Sequence, residues 1–135
     1  MLTSYFAKLR KLPPDIIPVT ITVFPPKGYK GLVYKKLAPT PAILSAYKNN
    51  PDTEKYDRDF KTQVLDKLDA KEVVEELEAL TGTDESHICL TCYEKSSDFC
   101  HRHLVGQFLS KELGLTVEEF SEEMLIQKEN ELEGR

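Results

Sequence analysis

Residues 88–93, Ile88-Cys89-Leu90-Thr91-Cys92-Tyr93, constrain the fold more than any other stretch of this chain. The run is apolar at odd and even positions alike, so a strand built from it buries both faces. Central strands of parallel sheets read this way, and parallel strands need crossover connections, usually helical. A short polar loop follows. Asp98 is placed to cap a helix that would pack Val105, Phe108, Leu109 and Leu113 and stop at Gly114.

The rest of the chain supplies partners for that strand. Residues 1–6 form a short strand candidate, and residues 7–15 a basic connection closed by Pro13-Pro14. Residues 16–24 are rich in β-branched side chains and predict a second strand, with Pro18 marking an edge or a bulge. Pro25-Pro26-Lys27-Gly28 opens a loop, and residues 32–37 suggest another short strand. Helices are predicted over 41–47 and about 51–68, the second with Tyr56, Phe60, Val64 and Leu68 at a spacing of four. Asp69 and Glu72 read as a capping box for a helix bearing Val73, Val74, Leu77 and Leu80 and ending at Thr81-Gly82. Thr116 and Glu119 repeat that pattern ahead of a final acidic helix with a thin stripe of Val117, Phe120, Met124 and Leu132.

Strands separated by helices imply an α/β class: a single domain with a small, mainly parallel sheet flanked by helices, plus a C-terminal acidic helix over 115–135. At 135 residues the chain has room for one real core. No apolar run approaches the roughly 20 residues of a membrane span, and no apolar stretch follows Lys8, Arg10 and Lys11 as a signal peptide would require. The expected location is cytoplasmic. Three cysteines, all between 89 and 100, are no disulfide framework, and reduced thiols fit them better. The net charge of −5 is carried by the tail, where seven acids of residues 118–135 face Lys128 and Arg135. Residues 1–36 hold seven bases against Asp15, a basic front that could face a phosphate-bearing ligand.

Ligands of open parallel sheets bind beyond the carboxyl ends of the strands. That rule gathers Thr3, Ser4 and Tyr5 after the first strand, Lys27 and Tyr29 after the second, and Glu94 and Lys95 after the cysteine-rich one. Cys100, placed about two positions inside its helix, sits where unpaired N–H groups and the helix dipole favour a thiolate, beside the cation Arg102. His101 is a candidate base near neutral pH. The plain alternative is a core thiol at Cys100, an Arg102–Asp98 pair and a solvated His101. A phosphatase-type loop needs an arginine six residues after the cysteine, and position 106 is Gly106. Zinc is set aside, because Cys89 and Cys92 of one strand point to opposite faces, although Cys100, His101 and His103 lie nearby. A redox-sensing thiol would need a resolving partner for Cys100, and only Cys92 qualifies. Interleaved basic and aromatic residues from Tyr5 to Lys36 allow nucleic-acid contact, but lysines that discourage edge pairing account for them as well.

Cys92-Tyr93-Glu94-Lys95, followed by Phe99-Cys100-His101-Arg102-His103-Leu104-Val105, resembles the domain of unknown function 488 (YeaO-like) family. Members end an apolar strand with Cys-x-Glu-Lys and continue through a loop to Cys-His-Arg and a leucine-rich helix. Residues 1–11 and Tyr34-Lys35-Lys36-Leu37-Ala38-Pro39 are similar to earlier parts of such members, so the resemblance covers about 1–114. One departure is the second strand, which lacks the Asp-x-Arg pair of many members; if that pair is functional in them, its role is absent here or has moved to Lys27 or Lys30. The resemblance implies an α/β domain with a cytosolic enzymatic or ligand-binding site at Glu94, Cys100, His101 and Arg102, and it supplies no substrate.

The expected site therefore has Cys100, Glu94 and His101 as catalytic candidates. Arg102, Ser4, Tyr5, Lys8 and Lys27 are the anion-binding candidates. No metal and no cofactor are expected. The expected partner is an anionic small molecule such as a nucleotide. The other reading is a non-catalytic module that binds nucleic acid or a protein, with no membrane partner and with self-association left open.

Overall fold

A computed structural model describes residues 1–94 and 100–126. Five parallel strands form one sheet: β1 (Leu2–Tyr5), β2 (Ile17–Thr20), β3 (Leu32–Val33), β4 (Ile88–Cys92) and β5 (Glu118–Glu119). Their order is β3-β2-β4-β1-β5. All residues of β4 are buried, as its two-faced apolar run requires. Four helices join the strands: α1 (Pro41–Asn49), α2 (Thr53–Gln63), α3 (Ala70–Thr81) and α4 (His101–Leu113).

Local chemistry sets the helix limits. Thr40 caps α1 through the Ile43 N–H, with Pro41 at the first helical position. Asp52 caps α2 and Asp69 caps α3. Gly82 and Gly114 close α3 and α4 in the left-handed conformation that glycine adopts without cost from a Cβ. Val19, Ile88 and Leu90 of the sheet share one core with Ile43, Phe60, Val73, Leu77, Val105 and Leu109 of the helices. Alternation along β4 puts Cys92 on this helix-covered face and Cys89 and Thr91 on the other. There Ser4, Thr91 and Thr20 stand in register across three strands, all fully buried.

Several sequence expectations change. The second strand ends at Thr20 rather than Phe24, and β2 lies inside the sheet despite Pro18. Two-residue β3 pairs only with Val19 and Thr20, so on that side Pro18 has no strand neighbour to which it must donate. Residues 35–37 turn into a 3-10 helix instead of extending β3. The second long helix stops at Gln63, with a 3-10 turn at Leu65–Lys67. Leu80 is exposed rather than part of the α3 stripe. Thr116 and Glu119 do not cap a helix. Glu118–Glu119 instead extends the sheet beside β1, held by Glu118 N–H to Met1 O at 3.2 Å and Phe120 N–H to Thr3 O at 2.8 Å. Residues 122–126 are helical, while Lys128, Leu132 and the rest of the acidic tail lie outside the described residues, as do Lys95 and Asp98.

No described helix is long and apolar enough to cross a membrane.

Candidate functional site

The chain reverses direction across the sheet between β2, which leads on to β3, and β4, which leads back toward β5. Adjacent strands that part in this way open a crevice at their carboxyl ends. A cavity of about 190 Å³ lies there, lined by Thr22, Val23 and Phe24 after β2, Tyr93 and Glu94 after β4, Tyr47 and Tyr56 of the helices, and Cys100 and His101. A wider groove of about 560 Å³ between the outer sides of α2, α3 and α4 brings together mostly surface charges such as Lys61, Asp66 and Lys111. The smaller cavity is the candidate site because the titratable motif residues converge on it.

Cys100 is the N-cap of α4, in extended conformation, and not a residue inside the helix. It is buried, and so is His101 at 6% exposure, which excludes a solvated imidazole. His101 Nε2 lies 2.7 Å from the Ile21 carbonyl oxygen. A carbonyl only accepts, so Nε2 carries the proton and the Nδ1 lone pair is free. Nδ1 faces Cys100 Sγ at 3.8 Å. Phe60 holds the ring edge-to-face, with centroids 5.5 Å apart. Burial pulls the His101 pKa down to about 4, with the Arg102 charge adding to the effect, so the ring is neutral at physiological pH.

Sequence reading left three reduced thiols; the structure instead joins Cys92 to Cys100 in a disulfide. Cys92 points from the end of β4 toward α4, where Cys100 waits at the helix cap. Cys89, on the opposite face, stays free and buried, and desolvation pushes its pKa up to about 12.

Arg102 is fully buried, and it is paired elsewhere than expected. Its Nε and Nη2 donate to the two oxygens of Glu119 at 3.0 and 2.7 Å. Its Nη1 donates to Glu94 O at 2.7 Å and to Cys92 Sγ at 3.0 Å. Thr3 Oγ1 adds a 2.6 Å bond to Glu119, and the Tyr5 ring lies 5.7 Å from the guanidinium. Glu119 thus takes the place that sequence reading gave to Asp98.

Of the other anion-binding candidates, Tyr5 meets Arg102 through its ring, whereas Ser4, Lys8 and Lys27 do not converge with it. Ser4 lies on the far face of the sheet, its hydroxyl buried and without a hydrogen-bond partner among the described residues. Lys8 is 3.1 Å from Glu122, and Lys27 is on an exposed loop. Glu94 is exposed at the cavity mouth. His103 borders a separate groove with Thr3, Gly106 and Glu119. Gly106 packs against Val117, which a Cβ there would meet at a tight 3.2 Å, and as glycine it supplies no side chain for the arginine position of a phosphatase-type loop.

Residues 7–113 match the family model described as the "Active DUF488-N3 subclade". The chain belongs to the DUF488 family. The match agrees with the span read from Cys-x-Glu-Lys and Cys-His-Arg, and it contains the whole strand–loop–helix site of this DUF488 protein except Glu119. No curated protein and no solved structure matches the chain.

Four features of the site escaped sequence reading. Glu119 lies 17 residues from its arginine, and nothing local links them. The Ile21 carbonyl is a backbone group, invisible to motif reading. Tyr47 and Tyr56 sit at helical spacing, where aromatic residues normally read as core. Phe24 and Tyr93, 72% and 50% exposed, carry the one usable signal: large aromatic residues that close the strand segments 16–24 and 88–93 at the binding end of the sheet.

Proposed function

We propose that this DUF488 protein binds a phosphorylated small molecule with a flat ring, of the nucleotide class, in the cavity at the ends of β2 and β4. With its thiols reduced, it acts on that molecule through Cys100 and His101. The observation that carries this reading is the His101 tautomer: Nε2–H is tied to Ile21 O, and Nδ1 is left facing the Cys100 sulfur at the cavity wall. Thiol and base within reach of each other, with the base oriented by a third group, is the arrangement of an activated nucleophile.

The neutral ring is a weak base that accepts a hydrogen bond from the thiol. As the sulfur bonds to an electrophilic atom of the ligand, the thiol proton passes to Nδ1 and the bond from that atom to its leaving group breaks, the leaving group taking the electron pair. Phe24, Tyr47, Tyr56 and Tyr93 offer faces and edges for a planar ring. The positive end of α4 begins at Cys100 on the cavity wall and supports an anionic group there, and Lys27 lies on the loop that follows β2. Glu94 stands at the mouth, where its carboxylate can exchange protons with solvent. Arg102 supports the site from behind and does not hold the ligand.

Thermal unfolding of the reduced protein with nucleotides, nucleosides and inorganic phosphate tests the reading. Nucleotides should raise the melting temperature; saturation a hundredfold above Kd adds about 2.7 kcal/mol to the folded state. The rise should vanish in Tyr93→Ala. No rise at millimolar nucleotide would sink the proposal. Steeply salt-dependent binding of nucleic acid would replace it with the interaction-module reading.

A further inference from the structure

We propose that Cys92, Cys100 and His101, with the two cysteines reduced, form a site for a thiophilic divalent cation, zinc by ligand type, whose fourth coordination position opens into the cavity. The inference uses the same wall as the proposed function but does not depend on the ligand proposed there.

The two sulfurs and the imidazole nitrogen lie within 4.8 Å of one another, and all three residues are buried. Tetrahedral zinc, with bonds near 2.3 Å to sulfur and 2.0–2.1 Å to nitrogen, spaces its ligand atoms about 3.5–3.8 Å apart. Cys100 Sγ and His101 Nδ1 already stand 3.8 Å apart. The Cα atoms of the two cysteines are 7.4 Å apart, which leaves room between the side chains once the sulfurs are no longer bonded to each other.

The surroundings suit a metal as well. Histidine ligands characteristically donate their second ring N–H to a carbonyl or carboxylate, and His101 does so to Ile21 O at 2.7 Å. Arg102 donates to the Cys92 sulfur at 3.0 Å, as a supporting group does for a thiolate. Charge also closes: two thiolates balance a divalent ion, and Glu119 balances Arg102. Cys89 points to the other face of the sheet, so the Cys89/Cys92 spacer that sequence reading rejected plays no part. Only Cys100 and His101 of the three line the cavity, which leaves the outward position to water or to a ligand group.

Loading follows a balanced route. A phosphine with water breaks the sulfur–sulfur bond, giving two thiols and the phosphine oxide. The cation then displaces the two thiol protons and forms two metal–sulfur bonds. In that state Cys100 is a ligand, and an ion at the cavity wall can polarise a bound group.

The test is titration of the full, phosphine-reduced, metal-free chain with cobalt(II), then displacement by zinc(II) against a chromophoric chelator. One equivalent should bind with thiolate-to-cobalt charge-transfer absorption. Cys92→Ser and Cys100→Ser should abolish that absorption, His101→Ala should weaken binding at least tenfold, and Cys89→Ser should leave it unchanged. X-ray absorption of the zinc-loaded wild type, independent of how the variants fold, should show two sulfurs and one imidazole. No charge-transfer absorption, dependence on Cys89, or equal binding by the disulfide form would overturn the inference. Nucleotide is absent from this titration, and the thermal test can be run on metal-free protein, so either idea can fail alone.

Discussion

His101 and Arg102 are neighbours at the start of α4, both buried, yet they serve opposite sides of the helix. Arg102 closes a satisfied knot: a two-pronged ion pair with Glu119, a carbonyl, a sulfur, and Thr3 behind the carboxylate. His101 makes one firm bond to Ile21 O and turns its remaining lone pair to Cys100 beside a cavity. A charged residue whose three nitrogens are each engaged inside the fold stabilises it and has little left for a ligand. A polar residue with one capacity held open toward a cavity is where chemistry can occur.

The largest effect should come from breaking the knot. Arg102→Met removes both guanidinium bonds to Glu119, which keeps its bond from Thr3, and loss of the buried member of such a pair costs roughly 3–5 kcal/mol. Urea unfolding would measure it. A loss below about 1 kcal/mol would mean that the guanidinium contributes little to the fold and is available for a ligand after all.

Acid should reveal the other neighbour. Folded His101 titrates near 4 and an unfolded histidine near 6.5, so the unfolded chain takes up the proton first as pH falls. The stability that the neutral ring contributes is complete above about pH 6.5 and disappears by about pH 4. The loss amounts to at most roughly 3 kcal/mol. The difference between wild type and His101→Gln across that window isolates it from the carboxylates, and a constant difference would contradict a buried neutral imidazole.

Tyr93→Ala should separate binding from folding. The side chain is half exposed, and its hydroxyl bonds the Phe24 carbonyl at 2.5 Å. Loss of that bond and of the ring's edge-to-face contact with Phe6 should cost about 1–3 kcal/mol, leaving the chain folded while abolishing the nucleotide-induced rise in melting temperature. The smallest effect is expected at Lys8→Ala. Its exposed pairing with Glu122 is screened by solvent, so the unfolding midpoint should not move.

How much of this was legible in the sequence follows from range. The two-faced run of β4 announces a central parallel strand, and Asp69, Gly82 and Gly114 announce helix ends, because each signal acts within a few residues. The Cys-x-Glu-Lys and Cys-His-Arg segment points to the candidate site for the same reason, and Glu94, Cys100 and His101 of it line one cavity. Glu119 was misread as a helix cap because its partners, Thr3 and Arg102, arrive only through the tertiary fold. Of the two readings of Pro18, an edge or a bulge, the edge fails, because the shortness of β3 cannot be seen in the residues around Pro18. The Cys92–Cys100 pairing was considered only as a redox alternative, since nothing local shows that α4 begins at Cys100 and brings it over the end of β4.

The central claim is that Cys100 and His101 form the reactive wall while Arg102 and Cys89 belong to the framework. Its most direct test is a pH–rate profile for alkylation of the reduced protein, resolved by mass spectrometry for each cysteine and repeated in His101→Gln and in the disulfide form. Cys100 should react first, more slowly in His101→Gln and not at all when bonded to Cys92, while Cys89 stays silent in the folded chain. A Cys100 that is inert when reduced, or that reacts no faster than Cys89 and is indifferent to His101, would contradict the account.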